Sequence, residues 1–247
     1  MKHSQYLRCA LTQLYRLARE PVPSRFLSRC SSTGRSPSLP IPPPAPTSQH
    51  NDLPSFLAYA TRTSLSPSST TYIGTHYEYT VLQALRSYAV DLSRIGGRAD
   101  SGIDLVGTWS LPAHPHPLRV IVQCKALRNK LGPNIIRELE GTFAGAPVGW
   151  RGDGILGVLV SPREATKGVR DALAKSRSPL MWILADAADG AVRQILWNGR
   201  ASEVGLQGLE VRVKHRLGTN AAKKEMALAW NGIELKSLGN HASGDDP

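Results

Sequence analysis

Cysteine is nearly absent from this 247-residue chain. Cys9, Cys30 and Cys124 lie far apart, with no pair at metal-ligand or redox spacing. A disulfide framework is thereby excluded, which suits a reducing compartment. No apolar run approaches the roughly 20 residues that a membrane-spanning helix needs. No internal repeat is visible, which removes solenoids and propellers from consideration. Acids are scarce at one end: across residues 1–50, Glu20 stands alone against Lys2, Arg8, Arg16, Arg19, Arg25, Arg29 and Arg35. What is present is ordinary globular material, with hydrophobic residues at 41%, so disorder throughout is also excluded.

The formal net charge of +11 by itself suggests an anionic partner such as nucleic acid or anionic lipid. Its distribution alters that reading. The first 50 residues carry +6 of it, so the remainder is only mildly basic at +5. Within the leader, Tyr6, Leu7, Leu11, Leu14, Leu17 and Ala18 recur at helical spacing, with Arg8, Arg16 and Arg19 elsewhere on the same helix. A basic, acid-poor amphipathic helix is the composition of a mitochondrial transit peptide, and it lacks the continuous apolar stretch of a secretory signal. Residues 1–35 are therefore read as a transit peptide cleaved near Arg29 to Thr33, directing the protein to the mitochondrial matrix. Residues 36–51 (SPSLPIPPPAPTSQHN) read as a Pro-rich disordered linker.

Residues 52–190 hold the main α/β domain. A short helix is expected at 52–62, with Asp52 as N-cap and Pro54 in its first turn. An amphipathic helix over Gly74 to Ala89 follows, then strands at Leu92 to Ile95, Ile103 to Thr108 and Leu118 to Lys125. Pro133 opens a helix whose Ile135, Ile136, Leu139 and Phe143 share one side. Ile155 to Val160 and Leu180 to Leu184 have the continuous apolar character of buried strands. Between them, Ser161-Pro162-Arg163-Glu164 predicts a capping box and a helix running to about Ser176. Two apolar strands joined by a helix imply a parallel pair. Residues 191–236 read as a small C-terminal β extension (Val192 to Trp197, Leu209 to His215, Met226 to Trp230), and 237–247 as a disordered tail.

Polar residues interrupt this pattern where apolar ones are expected. Gln123 and Lys125 stand two apart on a strand, so both leave the same face, while Cys124 joins Val120 and Val122 on the other. Asp104 lies on the preceding strand, within a hairpin's reach. Glu78 falls in the first turn of the leading helix, in line with Leu82 and Leu85, and so points at the sheet. Four polar groups converging on a sheet end are costly without a job or partners. Asp104, the Gln123 amide oxygen and Glu78 are hard oxygen ligands suited to Mg²⁺ or Mn²⁺. Lys125 could orient or deprotonate a water, or stabilise a pentacovalent phosphate. Gly102 permits close approach of a phosphate backbone. Asp100 is an acid at the same turn. His76, His114 and His116 read as surface residues, and the five tryptophans read as core. Arg128, Lys130, Arg137, Arg151, Arg163, Lys167 and Arg170 could track phosphates or form a solvated face.

The segments GGRADSGIDLVG and RVIVQCKAL resemble the D…QxK pattern of Mrr-type restriction endonucleases, members of the PD-(D/E)xK superfamily. IRELEGTFAG and GILGVLVSPREATKGVRDAL are similar to the family's second helix and the strand and helix after it. The resemblance implies a restriction-endonuclease-like α-β-β-β-α-β core with a mixed central sheet, spanning about residues 76–186. It also implies a site of Glu78, Asp104, Gln123 and Lys125. Most of the superfamily has Glu or Asp where this chain has Gln123, which removes one negative charge from the metal site; Mrr-like members share the Gln. Over residues 52–230, DLPSFLAYATRTSL, GTHYEYTVLQALR and GAPVGWRG resemble the fungal mitochondrial family called "required for respiratory growth protein 7".

The expected function is a metal-dependent DNA endonuclease of mitochondria, with Mg²⁺ or Mn²⁺ at the site, DNA as partner, no transmembrane segment, and a homodimer left open. Its rival is an inactive nucleic-acid-binding or assembly factor on the same fold. Deleting residues 1–35 is expected to leave the protein in the cytosol with domain stability unchanged; import of the truncated form in fractionated cells would contradict the targeting reading.

Overall fold

A computed structural model of the chain describes residues 39–97, 101–112, 114, 116–127, 129–217 and 222–235. The expected leader, Asp100, Arg128 and the C-terminal tail lie outside the described residues. The element order is α1 (Leu53–Arg62), α2 (Thr70–Arg86), β1 (Val90–Arg94), β2 (Leu105–Trp109), β3 (Leu118–Cys124), α3 (Asn134–Gly145) and β4 (Ile155–Ser161). It continues with α4 (Lys167–Lys175), β5 (Leu180–Ala185), β6 (Val192–Trp197), a helical turn α5 (Gly199–Ala201), and strands β7 (Leu209–Leu217), β8 (Ala222–Trp230) and β9 (Ile233–Glu234). Strands β1 to β6 form one mixed sheet in sequence order, and β7 to β9 form a separate three-stranded sheet. In the large sheet, β3, β4 and β5 run parallel to one another, while β1, β2 and β6 pair antiparallel to their neighbours. Val192 to Trp197, read from the sequence with the C-terminal extension, is thus the sixth strand of the main sheet.

Both faces of this sheet are covered, and the strand sequences show why. Every residue of β4 is buried, as a strand between two apolar layers requires. On one face, Tyr77, Val81 and Leu85 of α2 pack over Leu105, Val120, Val122, Val158 and Met181, and Leu209, Leu228 and Trp230 of the small sheet extend the same core. On the other, Ile135, Ile136 and Leu139 of α3 and Val169 and Leu173 of α4 cover Leu159, Leu180 and Trp182. Trp150 closes that layer against Ile103, Val106, Ile121 and Ile155, and its indole N–H donates to the Gly107 carbonyl at 2.9 Å. Each such side chain contributes roughly 1.5–3 kcal/mol by leaving water. Asn198 is the buried polar staple: its Oδ1 accepts from Leu180 N and Ala201 N, and its Nδ2 donates to the carbonyls of Leu173 and Ser178.

Three local expectations are corrected. The leading helix starts at Thr70, because Ser69 accepts a hydrogen bond from Tyr72 N at 3.2 Å and caps it there. Glu78 therefore sits in mid-helix, not in the first turn. Ser161 is the last residue of β4, paired with Leu184; its hydroxyl accepts from Arg163 N, and the helix begins only at Lys167 under a Thr166 cap. Sheet pairing outweighs the local capping signal. Residues 39–51, expected as a free linker, carry neither helix nor strand, but their end is held. The His50 ring packs against Phe56 and Tyr59, and its Nδ1 lies 2.8 Å from Tyr79 Oη. α1 follows under the expected Asp52 cap, whose carboxylate accepts from Ser55 N. Among the described residues no helix is long and apolar enough to cross a membrane.

Burial, and next the nearby Arg94 charge, lower the His50 pKa from its ordinary value of about 6.5. The unfolded chain then binds more protons just below that value than the folded one, so stability falls as the pH drops through about 6.5. His50→Gln is expected to flatten this acid limb in urea titrations at pH 7.5 and 5.5; an unchanged pH dependence would show that His50 is not its source.

Candidate functional site

The predicted residues gather where β2 begins and β3 ends. Asp104 continues the sheet through its backbone: its carbonyl accepts from Ile95 N and Gly96 N, and its N–H donates to Val122 O at 2.9 Å. Its side chain reaches across the strand end, where Oδ2 accepts the Cys124 N–H at 2.6 Å. The carboxylate thus lies against the β3 backbone between Gln123 and Lys125. Gly102, at φ +79°, forms the turn into this strand. A Cβ there would come within 3.0 Å of Gln123 Nε2 and 3.3 Å of Thr142 Cγ2, so glycine is needed for close approach as well as for its backbone angle.

Gln123 is only 5% exposed, and its Oε1 is buried without a hydrogen-bond partner. Such an oxygen is costly unless something else satisfies it. Glu78 enters from α2. A Cβ on Gly96 would stand 3.2 Å from both Asp104 Oδ1 and Glu78 Oε2, so the missing side chain at 96 lets the two carboxylates share the space. Glu78 is also clamped: Arg94 Nε donates to its Oε2 at 2.5 Å, with the two side chains only 11% and 13% exposed. The Arg94 guanidinium stands 5.5 Å from the Tyr79 ring centre, a cation–π contact that links the clamp to the His50 cluster.

Gln123 and Lys125 do leave the same face. Gln123 and Thr142 of α3 both border Gly102, and Lys125 Nζ pairs with Glu138 Oε2, also on α3, at 3.3 Å. Glu138 is itself steadied by Asn134 Nδ2 at 3.2 Å. Cys124 packs instead into the core beneath α2. Burial pushes its thiol pKa well up, with the charges of Asp104 and Glu78 adding to the effect, so it remains a neutral thiol. His76 stacks on Tyr72, and His114 packs edge-on against Trp230, so neither joins the site. Among the described residues no group of three or more His, Cys, Asp or Glu is arranged to hold a metal; the candidate donors are two carboxylates and one amide. Sequence reasoning missed Arg94 and Glu138. The available signals were a cation closing the strand VDLSR and an acid four residues after Asn134 on a helix.

The described residues define an α/β protein built on a mixed six-stranded sheet. The profile of the family described as "Required for respiratory growth protein 7" matches residues 69–116 and 112–214, and the chain belongs to this family. A Schizosaccharomyces pombe relative named "Uncharacterized protein C824.03c, mitochondrial" is 32% identical over 176 residues, 70% of this chain and 69% of its own length. "Required for respiratory growth protein 7, mitochondrial" of Saccharomyces cerevisiae is 26% identical over 53% of this chain and 71% of its own length. The Vanderwaltozyma polyspora protein of the same name is 44% identical over 75 residues, 30% of this chain and 27% of its own. No solved structure matches. The protein is mitochondrial, as these relatives are.

Replacing Arg94 by Leu would remove the guanidinium that pairs with Glu78 beside the Asp104 carboxylate. The expected loss is about 3 kcal/mol in urea unfolding, largely recovered in Arg94→Leu/Glu78→Leu, because an unpaired buried charge costs more than the pair contributes. An unaffected single variant would show that the clamp is energetically idle.

Proposed function

We propose that this protein is a metal-dependent nuclease-like phosphodiesterase acting on mitochondrial DNA, with Glu78, Asp104, Gln123 and Lys125 as its site. The observation that carries the reading is the Asp104 carboxylate seated on the β3 backbone between Gln123 and Lys125, next to a buried and unpartnered Gln123 Oε1. The order α2-β1-β2-β3-α3-β4 supports it, being the order of the restriction-endonuclease-like core that the motif resembles. So does the need its relatives' name records, since respiratory growth depends on processes inside mitochondria.

The donor set fits a hard divalent cation. Asp104 and Gln123 Oε1 would hold Mg²⁺ or Mn²⁺, with Glu78 contributing less because Arg94 already neutralises it. Such an ion supplies positive charge to a phosphodiester and acidifies water. The chain's own residues do the rest. Glu138 fixes where the Lys125 ammonium stands, which suits the lysine to stabilise the extra negative charge of the transition state. Cys124 N–H orients the Asp104 carboxylate. Accordingly, Lys125 acts on the transition state more than on ground-state affinity.

A second reading, a DNA-binding factor without turnover, is favoured by one specific feature: Arg94 occupies Glu78, and Gln123 contributes no charge. The experiment that separates the two incubates the protein with duplex, nicked, branched and single-stranded DNA in Mg²⁺ or Mn²⁺. Lys125→Ala is expected to cut cleavage about 100-fold or more with binding retained. Gln123→Glu is expected to keep activity and tighten metal binding, since a second carboxylate attracts a dication more than an amide does. Wild type that binds every form yet cleaves none, with Gln123→Glu equally inert, would establish the second reading instead.

A further inference from the structure

The Pro-rich segment ahead of α1 touches the domain at three levels. At its start, Gly149 has φ +92°, and a Cβ there would collide with Pro40 Cβ. Gly149 lies on the α3 face near the beginning of β3: its carbonyl accepts from Arg119 Nη1 at 2.9 Å, and Arg119 shares that face with Ile121 and Gln123. Next, a Cβ on Gly97 would stand 3.2 Å from Pro46 Cβ. Gly97 directly follows Gly96, the residue whose missing side chain leaves Asp104 and Glu78 their shared space. Last, the His50 ring packs edge-on against Tyr79 of α2, on the opposite face of the sheet, and Gln49 Oε1 accepts from Arg62 at 3.0 Å.

These anchors fix the path. A chain that begins on the α3 face and finishes on the α2 face has to pass around the sheet, and β1 is its edge strand. The passage falls at Gly97, beyond the end of β1, which is where the candidate site stands. Six residues of polyproline rise from Pro40 to Pro46 cover about 19 Å, the length of a strand of five or six residues. The grip is light. Pro40, Pro42, Pro43, Pro44 and Pro46 have no N–H to give. Among the described residues, no backbone–backbone bond ties residues 40–50 to the sheet. Ile41 is 88% exposed, and Pro44, Ala45 and Pro46 are exposed as well. A segment held by a few side-chain contacts opens at a small part of the free energy of global unfolding.

We infer that residues 40–50 are a strap that gates the site. Docked as here, the strap bars a nucleic-acid backbone from reaching Asp104 and Glu78 past the end of β1, and DNA enters only when it lifts. The inference regulates the site proposed above and rests on DNA being its substrate. Apparent affinity is then the affinity of the open form scaled by the fraction of molecules that are open.

The test locks the strap in the full chain. Pro46→Cys/Gly97→Cys, made with Cys9→Ser/Cys30→Ser, places two thiols close to the roughly 3.8 Å Cβ spacing of a disulfide. Cys124 packs in the core and does not compete. Binding to a labelled duplex is read by fluorescence anisotropy in the oxidised and reduced states, and the leader, common to both, cancels. The oxidised form is expected to bind at least about tenfold more weakly, with reductant restoring the loss. Pro42→Gly/Pro43→Gly/Pro44→Gly adds freedom to the lifted strap and serves if the disulfide does not close. That variant should bind at least about threefold more tightly than wild type, with an unchanged circular dichroism spectrum. Equal affinity of the oxidised and reduced forms, or wild-type affinity in the folded glycine variant, overturns the strap and leaves the nuclease reading standing. A reduced form that binds no DNA of any kind sinks the nuclease reading, and the gate with it.

Discussion

Burial of the central sheet on both faces governs where this protein can put chemistry. Strand β4 has no exposed residue, and β3 has helix α2 on one side and α3 on the other. A polar group midway along such a strand would lose its water and find no partner. On β3 and β4 polar side chains are therefore confined to positions near the strand ends, where loops supply backbone donors and neighbouring helices supply counter-charges. Gln123 and Lys125 close β3, Arg94 closes β1, and Asp104 precedes β2. The site is a consequence of the same two-sided packing that stabilises the fold.

Charges at that edge are kept by pairing. Glu78 is held by Arg94 in a nearly buried contact, and Lys125 is held by Glu138 at the surface of α3. The two pairs differ in kind. The first excludes water and fixes both groups, so its integrity matters to folding. The second is half exposed and contributes little to stability, but it fixes where the ammonium stands. Among the described residues, Gln123 Oε1 is buried without a hydrogen bond. A buried oxygen without a hydrogen bond is costly, which sets Gln123 apart from the paired charges around it.

Membership of the respiratory-growth family goes with a mitochondrial location, as its relatives are named. The formal net charge of +11 divides into +6 over residues 1–50 and +5 over the rest of the chain, so the folded domain is only mildly basic.

Much of this was legible in the residues. Gln123 and Lys125 share a face because strand side chains alternate, and the continuous apolar run Ile155 to Val160 has the character of a strand buried on both sides. Pro54 and Asp52 announced the first helix through local capping chemistry. Local signals failed where long-range contacts competed with them. Ser161 looked like a helix cap and became a strand end, since its pairing with Leu184 is set by a segment 23 residues away. His50 looked like linker, because nothing near it in sequence shows that Tyr79 will stand 2.8 Å from its ring nitrogen. The sequence by itself determined which residues could be polar and on which face, because periodicity is a property of the backbone. Only the tertiary structure decided their partners, Arg94 for Glu78 and Glu138 for Lys125, because a charge is paired by whatever distant segment folding brings beside it.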